Sequence, residues 1–322
     1  MAGACVVAGS GHPGLAIAVA SAVGAPAVAC ELERFPDGER GPVVGDVRGA
    51  DVYVVQPTGP PVDEHLVELL LVVDACRRAG ADRVTAVVPY FGYARQDRRS
   101  RAGEPIGARV VLDALAAVGT DRLVVVDPHT PALEAMAPMA VEILTAVPVV
   151  AAALAPLASG AVLVAPDLGA VRLAEAYAKV LDRPVAVVRK SRLTGQAVRA
   201  EELVGEVAGR PVVVVDDMIS TGATIEATLR LLRSDGAAAP VTVAATHGLL
   251  LGGALGRMTA LGAARVLVTD TLPPPGGTPA ASDVPVPGEP SAVERCSVAP
   301  LIAGAIARLH ADVPLDGLRL HG

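Results

Sequence analysis

Short apolar runs alternate with longer segments of helical periodicity along most of the chain. Buried strands are predicted at Ala4–Ala8, Val52–Gln56, Val84–Pro89, Leu123–Asp127, Ala161–Ala165, Val185–Val188, Val212–Asp216, Val241–Ala245 and Arg265–Thr269. Helices are predicted at Gly14–Val23, Val62–Ala79, Ile106–Ala117, Val171–Leu181 and Thr224–Ser234, with a short one around 148–157. Strands that are apolar throughout and alternate with helices indicate an α/β fold built on parallel sheets.

The order of these elements repeats once along the chain. Segments 52–92 and 212–248 each contain a strand, a polar loop, a helix, a second strand and a glycine, which suggests two similar domains in tandem. We therefore predict an N-terminal domain over 1–145 and a C-terminal domain over 146–300. A C-terminal helix and tail over 301–322 are expected to pack on the first domain.

Glycine and proline mark the limits of several elements. Gly80 and Gly236 directly follow two predicted helices, where a C-terminal cap is expected. The segment 272–290 is rich in Pro and Gly and predicts a mobile surface loop.

Composition narrows the classes of function. Hydrophobic residues make up 52% of the chain and charged residues 19%, which excludes a disordered chain. The net charge of −7 offers no broad basic surface, so nucleic acid is not an expected partner. The four cysteines form no C-x-x-C pair, which favours reduced thiols in a cytoplasmic protein. Residues 1–30 lack the basic start of a signal peptide, and prolines interrupt the apolar stretch 143–166, so no membrane association is predicted.

The strongest chemical signal lies at the end of the strand that begins at Val212. Asp216 and Asp217 are followed by a Ser220-Thr221-Gly222 loop that leads into a helix. Such a loop presents backbone N–H groups and hydroxyls beside a helix N-terminus, which suits a phosphate. Paired carboxylates suit the hydroxyls of a sugar, directly or through Mg²⁺. A solvent-facing turn with an Asp cap is the structural alternative, but the combination favours phosphate binding.

Aromatic residues concentrate in a second motif. The chain has 4 Tyr and 2 Phe, and three of these six fall at Tyr90, Phe91 and Tyr93, directly before a run of arginines. Another mixed motif, R-F-P-D-G-E, spans 34–39. Aromatic faces beside guanidinium groups suit a purine nucleotide. For either segment alone, core aromatics followed by a solvated basic turn are the simpler interpretation.

Three further side chains are candidates for charge and metal chemistry. Lys190 is one of only two lysines and lies between arginines after a predicted strand, where it could neutralise a transferring phosphoryl group. His129 and Asp167 also follow strands, on the face where open α/β sheets bind ligands, and could share a divalent cation. Without further context, a basic surface loop and a structural histidine are the simpler interpretations.

One motif suggests a different function. Gly9-x-Gly11-x-x-Gly14 loosely matches a dinucleotide fingerprint, although Pro13 places a rigid ring inside the turn. Dinucleotide binding is therefore kept as an alternative. No G-x-x-x-x-G-K-[ST] sequence occurs, so an ATP site would not be a P-loop.

Ordered motifs from end to end make the chain resemble phosphoribosyl pyrophosphate synthetase, also called ribose-phosphate diphosphokinase. They are R-F-P-D-G-E (34–39), V-R-G-A-D-V (47–52), P-Y-F-G-Y-A-R-Q-D-R (89–98), D-P-H (127–129), A-P-D-L-G-A (165–170), K-S-R (190–192), V-D-D-M-I-S-T-G-A-T (215–224), T-H-G (246–248), T-D-T (269–271) and S-V-A-P-L (297–301). The resemblance implies two tandem phosphoribosyltransferase-like domains, each with a mainly parallel sheet flanked by helices. It implies transfer of the β,γ-diphosphoryl group of ATP to the 1-hydroxyl of ribose 5-phosphate, giving phosphoribosyl pyrophosphate (PRPP) and AMP. It also implies Mg²⁺ as cofactor and a homo-oligomer with a dimer as the minimal unit.

The resemblance assigns candidate site residues by position. The catalytic cations would be Lys190 and Arg192. ATP would be bound by Phe35, Asp37, Glu39, Arg95, Gln96, Asp97 and His129, the first three contributed across a subunit interface. Ribose 5-phosphate would be bound by Asp216, Asp217, Ser220, Thr221, Gly222, Ala223 and Thr224. The metal ligands would be His129 and Asp167.

The chain departs from the common bacterial form of that family at several positions. Thr130-Pro131-Ala132 follows His129, Ser220 and Ala223 stand in the phosphate loop, and the catalytic segment is Lys190-Ser191-Arg192. Together with A-P-D-x-G-A, these changes look closer to the archaeal-type branch and leave activation by phosphate and inhibition by ADP open. A catalytically inactive regulatory relative and a nucleotide-binding phosphoribosyltransferase are the alternative functions.

Overall fold

The computed structural model describes residues 3–192, 198–238, 241–274 and 293–320, with the backbone only at 190–192 and 198–201. The chain divides into two compact units. Unit 1 comprises Met1–Thr145, Thr271–Pro273 and Val298–Gly322. Unit 2 comprises Ala146–Asp270 and Pro274–Ser297.

Strands and helices alternate in both units. The strands are β1 Ala4–Ala8, β2 Ala27–Val28, β3 Cys30–Arg34, β4 Arg40–Val44, β5 Asp51–Val55, β6 Arg83–Val88, β7 Arg122–Val126, β8 Ala140–Leu144, β9 Val162–Ala165, β10 Val185–Arg192, β11 Val198–Val204, β12 Val212–Ile219, β13 Val241–Gly248, β14 Ala263–Thr269 and β15 Val293–Cys296. The helices are α1 Pro13–Val23, α2 Val62–Arg78, α3 Gly107–Ala117, α4 Leu133–Met136, α5 Val147–Leu154, α6 Val171–Leu181, α7 Ala223–Ser234, α8 Ala254–Ala260 and α9 Ala299–His310, with a 3₁₀ turn at Leu251–Gly253. Every predicted strand and helix is present, and β10, β12 and β13 extend further than predicted.

Unit 1 is built on a parallel sheet in the order β2-β1-β5-β6-β7-β8. Strand β5 is buried at every position, as expected for a strand covered by helices on both faces. Helix α2 has acidic residues in its first turn and Arg77 and Arg78 in its last, an arrangement that complements the helix dipole. Gly80 follows with φ of +90°, which confirms the predicted helix end. A separate antiparallel hairpin, β3–β4, carries the R-F-P-D-G-E motif on its turn.

The C-terminal segment belongs to unit 1. Helix α9 packs against α1, and the Nδ1 of His310 lies 2.8 Å from the Oδ2 of Asp51 at the start of β5. Further along, the backbone N–H of Thr145 donates to the carbonyl oxygen of Leu318 at 2.9 Å. The last described residues therefore pack on the same sheet as the first.

Unit 2 is built on a sheet in the order β11-β10-β9-β12-β13-β14-β15. All neighbouring pairs are parallel except β10–β11. Strand β12 lies between β9 and β13, so the carboxyl ends of three parallel strands meet at one edge of the sheet. Gly236 follows α7 with φ of +74°, which confirms the predicted helix end. The predicted fold class, two α/β units with mainly parallel sheets, is confirmed.

The segment around Lys190 differs from its prediction. The sequence places the end of the strand at Val188 with a loop after it, whereas Lys190 pairs with Ala200 and Arg192 with Val198 in the antiparallel β10–β11 ribbon. Backbone pairing at a sheet edge needs no apolar side chains, so the loss of the apolar pattern after Val188 did not end the strand. Residues 275–292, most of the predicted mobile loop, lie outside the described residues.

Membrane-spanning helices were predicted to be absent, and the described ranges can be compared with that prediction. None of the helices there is long and apolar enough to cross a membrane.

Candidate functional site

Carboxylates from neighbouring strands meet at the carboxyl edge of the sheet in unit 2. Val214 of β12 pairs with Val164 of β9, so the segment with Asp216 and Asp217 runs beside the segment that carries Asp167. Asp216 is buried. Burial, followed by the charges of Asp217 and Asp167, raises the pKa of Asp216 well above its ordinary value. Such a cluster suits sugar hydroxyls or a divalent cation, because either relieves the repulsion among the acids.

Asp167 also shapes the turn that begins α6. Its Oδ1 accepts hydrogen bonds from the backbone N–H groups of Gly169 at 3.0 Å and Ala170 at 3.2 Å. Helix α6 begins at Val171, so the carboxylate closes the turn directly before the helix and also lies beside the acidic cluster. Its predicted place at the end of a strand is confirmed, whereas its role as a metal ligand stays a prediction.

The loop Ser220–Gly222, which we call the second loop, follows β12 and is fixed through its carbonyl groups. The carbonyl oxygens of Ile219 and Ser220 accept from the backbone N–H groups of Leu250 and Leu251, each at 3.0 Å. The carbonyl of Thr221 accepts from the guanidinium of Arg257 at 2.6 Å. In a trans peptide the C=O and the following N–H point in opposite directions, so the N–H groups of the loop turn away from this supporting segment.

The second loop leads directly into α7. Gly222 has φ of +80°, and a Cβ at this position would lie 3.1 Å from the Cβ of Ala254. Both the backbone angle and the close approach of α8 therefore require glycine. Helix α7 begins at Ala223, so the loop joins its N–H groups to those of a helix N-terminus, the arrangement that binds phosphate.

The aromatic motif of unit 1 is divided between core and surface. Tyr90 and Phe91 are buried, and Phe91 belongs to the hydrophobic core. Tyr93 donates to Asp63 of α2 at 2.5 Å. Tyr90 and Phe91 therefore do not form a base-stacking surface, and the simpler interpretation of core aromatics is confirmed for these two residues. The following Arg95, Gln96 and Asp97 lie at the surface.

The β3–β4 hairpin presents a different aromatic side chain. Phe35 is 40% exposed on the hairpin turn. The turn is closed by hydrogen bonds from Phe35 N to Glu39 O and from Gly38 N to Phe35 O, both 2.9 Å long. The Oδ1 of Asp37 accepts from the N–H of Glu39 at 3.1 Å. The predicted ATP-binding residues Phe35, Asp37 and Glu39 are thus exposed together on one rigid turn.

A buried ion pair fixes the base of that hairpin. Arg40 of β4 donates to Glu68 of α2 at 2.7 Å and to Glu64 at 2.6 Å. Glu68 is 1% exposed and also accepts from Ser10 N at 2.6 Å, Ser10 Oγ at 2.5 Å and Gln56 Nε2 at 3.1 Å. The sequence analysis missed this network. Its signal was Glu68 itself, an acid on the face of α2 that Leu69 and Val72 make mainly apolar.

The glycine motif after β1 does not form a ligand loop. The N–H of Gly11 donates to the side-chain oxygen of Gln56 at 2.7 Å, and that of Gly9 donates to the carbonyl of Val55 at 3.0 Å. A Cβ at Gly9 would lie 2.3 Å from the Gln56 Oε1, so the glycines make room for a protein side chain. Because these donors bind groups of the protein, the dinucleotide-binding alternative is contradicted.

Several predicted site residues are located without their roles being tested. His129 follows β7 in unit 1 at an exposed position, and Asp167 follows β9 in unit 2. Lys190 and Arg192 are described by their backbone alone. Within the part of the chain that the structure describes, no group of three or more His, Cys, Asp or Glu side chains is arranged to hold a metal ion unaided.

Comparison with known families defines the class of protein. The family pattern of the phosphoribosyl transferase domain matches residues 151–249, in unit 2. The pattern described as the N-terminal domain of ribose phosphate pyrophosphokinase matches residues 4–119, in unit 1. The chain therefore consists of two domains with a phosphoribosyltransferase-like fold.

Individual relatives narrow this class to a family. The ribose-phosphate pyrophosphokinase of Rhodopirellula baltica is 37% identical over 295 residues, covering 89% of each chain. That of Clostridium perfringens is 35% identical over 315 residues, covering 96% of this chain and 95% of its own. The crystal structure of phosphoribosylpyrophosphate synthetase from Mycobacterium smegmatis matches with a TM-score of 0.85 at 35% identity, covering 96% of this chain and 99% of that one. This chain belongs to the ribose-phosphate pyrophosphokinase family.

Proposed function

We propose that this protein transfers the β,γ-diphosphoryl group of ATP to the 1-hydroxyl of ribose 5-phosphate, producing PRPP and AMP. The observation that carries the proposal is the similarity, at 37% and 35% identity, to ribose-phosphate pyrophosphokinases over both units. The second loop and the acidic cluster beside it provide the geometric support. In this reaction the O1–Pβ bond forms and the bond from Pβ to the oxygen that bridges Pα and Pβ breaks. AMP leaves in line with that oxygen, and the proton of the 1-hydroxyl is released to water.

Ribose 5-phosphate is bound at the carboxyl edge of the sheet in unit 2. The N–H groups and hydroxyls of Ser220–Thr224 hold its phosphate, because a helix N-terminus stabilises an anion. Asp216 and Asp217 orient the ribose hydroxyls. The buried position of Asp216 supports this role, since a buried acid with a raised pKa gains when it is hydrogen-bonded to a ligand.

ATP is bound by residues of unit 1. Arg95, Gln96 and Asp97 contact the nucleotide, and Phe35, Asp37 and Glu39 bind adenine in the site of a neighbouring subunit of a homo-oligomer. The exposure of Phe35 on an anchored turn supports this arrangement. Mixing Phe35→Ala/Asp37→Ala chains with Lys190→Ala chains should restore part of the activity; no recovery in proven mixed oligomers would contradict a shared site.

Mg²⁺ is the proposed metal, with Asp167 as its carboxylate ligand and His129 as an acceptable though unusual second ligand. Carboxylate oxygens suit it, and Mg²⁺ commonly takes one or two carboxylates together with water and phosphate oxygens. His129 and Asp167 would hold it on the ATP phosphates, where its charge offsets that of the transferred group. Asp167→Ala should raise the Mg²⁺ requirement or abolish activity in a folded protein, and an unchanged Mg²⁺ profile would contradict the assignment.

Lys190 and Arg192 are the catalytic cations. Catalysis of diphosphoryl transfer depends on positioning and on neutralising charge that grows in the transition state, so their loss should lower kcat more than it raises KM. Lys190→Ala and Arg192→Ala should each lose about 10²–10³-fold in kcat. The matched control is Arg189, which lies on the same strand as Lys190 and pairs with Glu202 of β11 at 3.0 Å. If Lys190→Ala and Arg192→Ala lose no more activity than Arg189→Ala, a catalytic role is contradicted.

Two finer features complete the proposal. The sequence departures favour an archaeal-type enzyme and leave its response to phosphate and ADP open. The free cysteines, two of them buried, favour work in the cytoplasm. Activity measured across phosphate and ADP concentrations determines that response.

The decisive experiment is a product assay. Purified protein with ATP, ribose 5-phosphate and Mg²⁺ should form PRPP and AMP in equal amounts, and neither should form without the sugar. Release of ADP in place of AMP would contradict diphosphoryl transfer. Absence of any product from a folded protein that binds ATP would favour the inactive regulatory relative.

A further inference from the structure

Arg257 of α8 is joined to three separate parts of the second-loop region. Its NH2 donates to the carbonyl oxygen of Thr221 at 2.6 Å, and its Nε donates to Glu226 of α7 at 2.7 Å. Its NH1 donates to the carbonyl oxygen of Gly252. One guanidinium thus connects α8, the 3₁₀ turn before it, the second loop and the first turn of α7.

We propose that Arg257 is a positioning residue that sets the second loop for binding the phosphate of ribose 5-phosphate. The inference rests on the proposed function and adds a residue that lies behind the loop. Arg257 faces the carbonyl side of the loop and therefore acts on the ligand through the backbone.

The first part of the argument is geometric. The peptide between Thr221 and Gly222 is planar and trans, so holding the Thr221 carbonyl toward Arg257 directs the Gly222 N–H to the opposite side. The two preceding carbonyls are held on the same side by the N–H groups of Leu250 and Leu251. Arg257 supplies the last of these three restraints, at the residue before the left-handed Gly222. Without it the Thr221–Gly222 peptide can rotate, and its N–H loses its fixed direction.

The second part is electrostatic. Glu226 lies in the first turn of α7, where its negative charge stabilises the helix but opposes an incoming phosphate. The Arg257 guanidinium pairs with that carboxylate at 2.7 Å and offsets its charge. Loss of Arg257 would therefore disturb the loop and leave an unbalanced negative charge near the anion site.

Lysine cannot reproduce this arrangement. The planar guanidinium has donors along a fixed fork, which lets it reach two carbonyls and a carboxylate at once, whereas an ammonium is a compact point charge. Arg257→Lys should keep the charge that offsets Glu226 and lose most of the restraint on the backbone. The lysine variant therefore separates the electrostatic part from the geometric part.

The chain offers a matched control in Arg265. Its Nε donates to Glu294 at 2.8 Å, close to the 2.7 Å of the pair between Arg257 and Glu226. The two arginine side chains are 46% and 45% exposed. Arg265 belongs to β14 of the same unit, so Arg265→Ala removes an equivalent surface ion pair without touching the second loop.

The test is steady-state kinetics combined with calorimetric titration of ribose 5-phosphate into the full-length protein with Mg²⁺. Arg257→Ala should raise KM and Kd for ribose 5-phosphate about tenfold, as expected for hydrogen bonds to a charged group, with KM for ATP unchanged. Arg257→Lys should fall between Arg257→Ala and the wild type, and Arg265→Ala should match the wild type. Thermal melts of all four proteins accompany the measurements.

Each outcome decides the inference. Wild-type affinity for ribose 5-phosphate in folded Arg257→Ala would overturn it. Equal increases in KM for ATP and for ribose 5-phosphate in Arg257→Lys would also overturn it, since they would indicate general damage. If the wild-type protein forms PRPP but Arg257→Ala shows no selective loss, only this inference fails. If the wild-type protein does not bind ribose 5-phosphate, both this inference and the proposed function fail.

Discussion

The loop Gly9–His12 after β1, here the first loop, and the second loop after β12 begin from similar positions. Each follows an inner strand of a parallel sheet, contains glycine and leads into a helix. In the first loop the N–H groups of Gly9, Ser10 and Gly11 donate to oxygens of unit 1 itself. In the second loop the hydrogen bonds to its support are accepted by carbonyl oxygens.

This difference separates a structural turn from a candidate ligand site. A backbone N–H that already donates to a buried carboxylate or carboxamide has no remaining capacity for a phosphate. A loop held through its carbonyls keeps its donors directed away from the support. Glycine spacing is shared by both loops, so it is the direction of the backbone hydrogen bonds that distinguishes them.

The acids near the two loops also differ in whether the fold compensates their charge. Glu68 in unit 1 accepts from Arg40, Gln56 and Ser10, so its charge is compensated within the fold. Asp216 in unit 2 is buried beside Asp217 and Asp167, and this burial, followed by the two neighbouring charges, raises its pKa. The first acid therefore stabilises the protein, whereas the second stores repulsion that a ligand or cation can relieve.

The largest effect is expected from removing Glu68, the acid of α2 that accepts hydrogen bonds from the first loop. Glu68→Ala should lower the free energy of unfolding by about 3–5 kcal/mol, because it leaves the Arg40 guanidinium and the Ser10 donors without their buried partner. Denaturant unfolding followed by circular dichroism measures this change. Glu64→Ala removes the other, exposed partner of Arg40 and should change stability little. Equal losses in the two variants would contradict the structural role of Glu68.

Replacing Asp216, the buried acid of β12 near the second loop, should instead lower activity without lowering stability. In the wild type the Oδ1 of Asp216 accepts a hydrogen bond from the N–H of Asp217 at 2.9 Å. Asp216→Asn keeps this acceptor but removes one charge from the cluster. We expect kcat/KM to fall about 10²–10³-fold, or roughly 3–4 kcal/mol in transition-state stabilisation, while stability stays the same or rises. PRPP formation and thermal melts measure the two quantities. Loss of stability in parallel with activity would contradict the distinction.

The glycines allow a smaller and more selective comparison. A Cβ at Gly11 would lie 2.7 Å from the carbonyl oxygen of Pro57, so Gly11→Ala should cost about 1–3 kcal/mol through overpacking. A Cβ at Gly14 would have its nearest contact at 3.7 Å, so Gly14→Ala is the tolerated control. Neither variant should change the affinity for ribose 5-phosphate, which calorimetry can measure. A selective loss of sugar-phosphate binding in Gly11→Ala would give the first loop a ligand role.

The smallest effect concerns the pH dependence of stability without metal. The folded-state pKa of Asp216 lies above the value of about 3.9 for an unfolded aspartate, so the folded protein binds more protons above that pH. The free energy of unfolding should therefore decrease as the pH rises from about 4 through the raised pKa. Thermal melts in EDTA across this range should show the decrease in the wild type and a weaker one in Asp216→Asn. An identical slope in both proteins would contradict the assignment.

Regular patterns made much of the fold predictable from sequence. The Val-rich runs predicted β1, β5, β6 and β12 because strands buried on both faces are apolar at nearly every position. The hairpin strands β3 and β4 were missed because they lie outside the main sheets and contain no fully buried residue. The extension of β10 through Arg192 was missed for a related reason, since its pairing is made by the backbone of an edge ribbon.

The sequence by itself determined the two α/β units and the type of residue at each candidate site position. It identified Asp216, Asp217 and the Ser220–Gly222 loop because adjacent acids and a glycine turn at a strand end are local patterns. Only the tertiary structure decided which glycine loop keeps its donors for a ligand. That choice depends on Gln56 and Glu68 in one unit and on Leu250, Leu251 and Arg257 in the other, all distant in sequence from the loops they hold. Contacts between distant residues follow from packing, so local periodicity and spacing do not contain them.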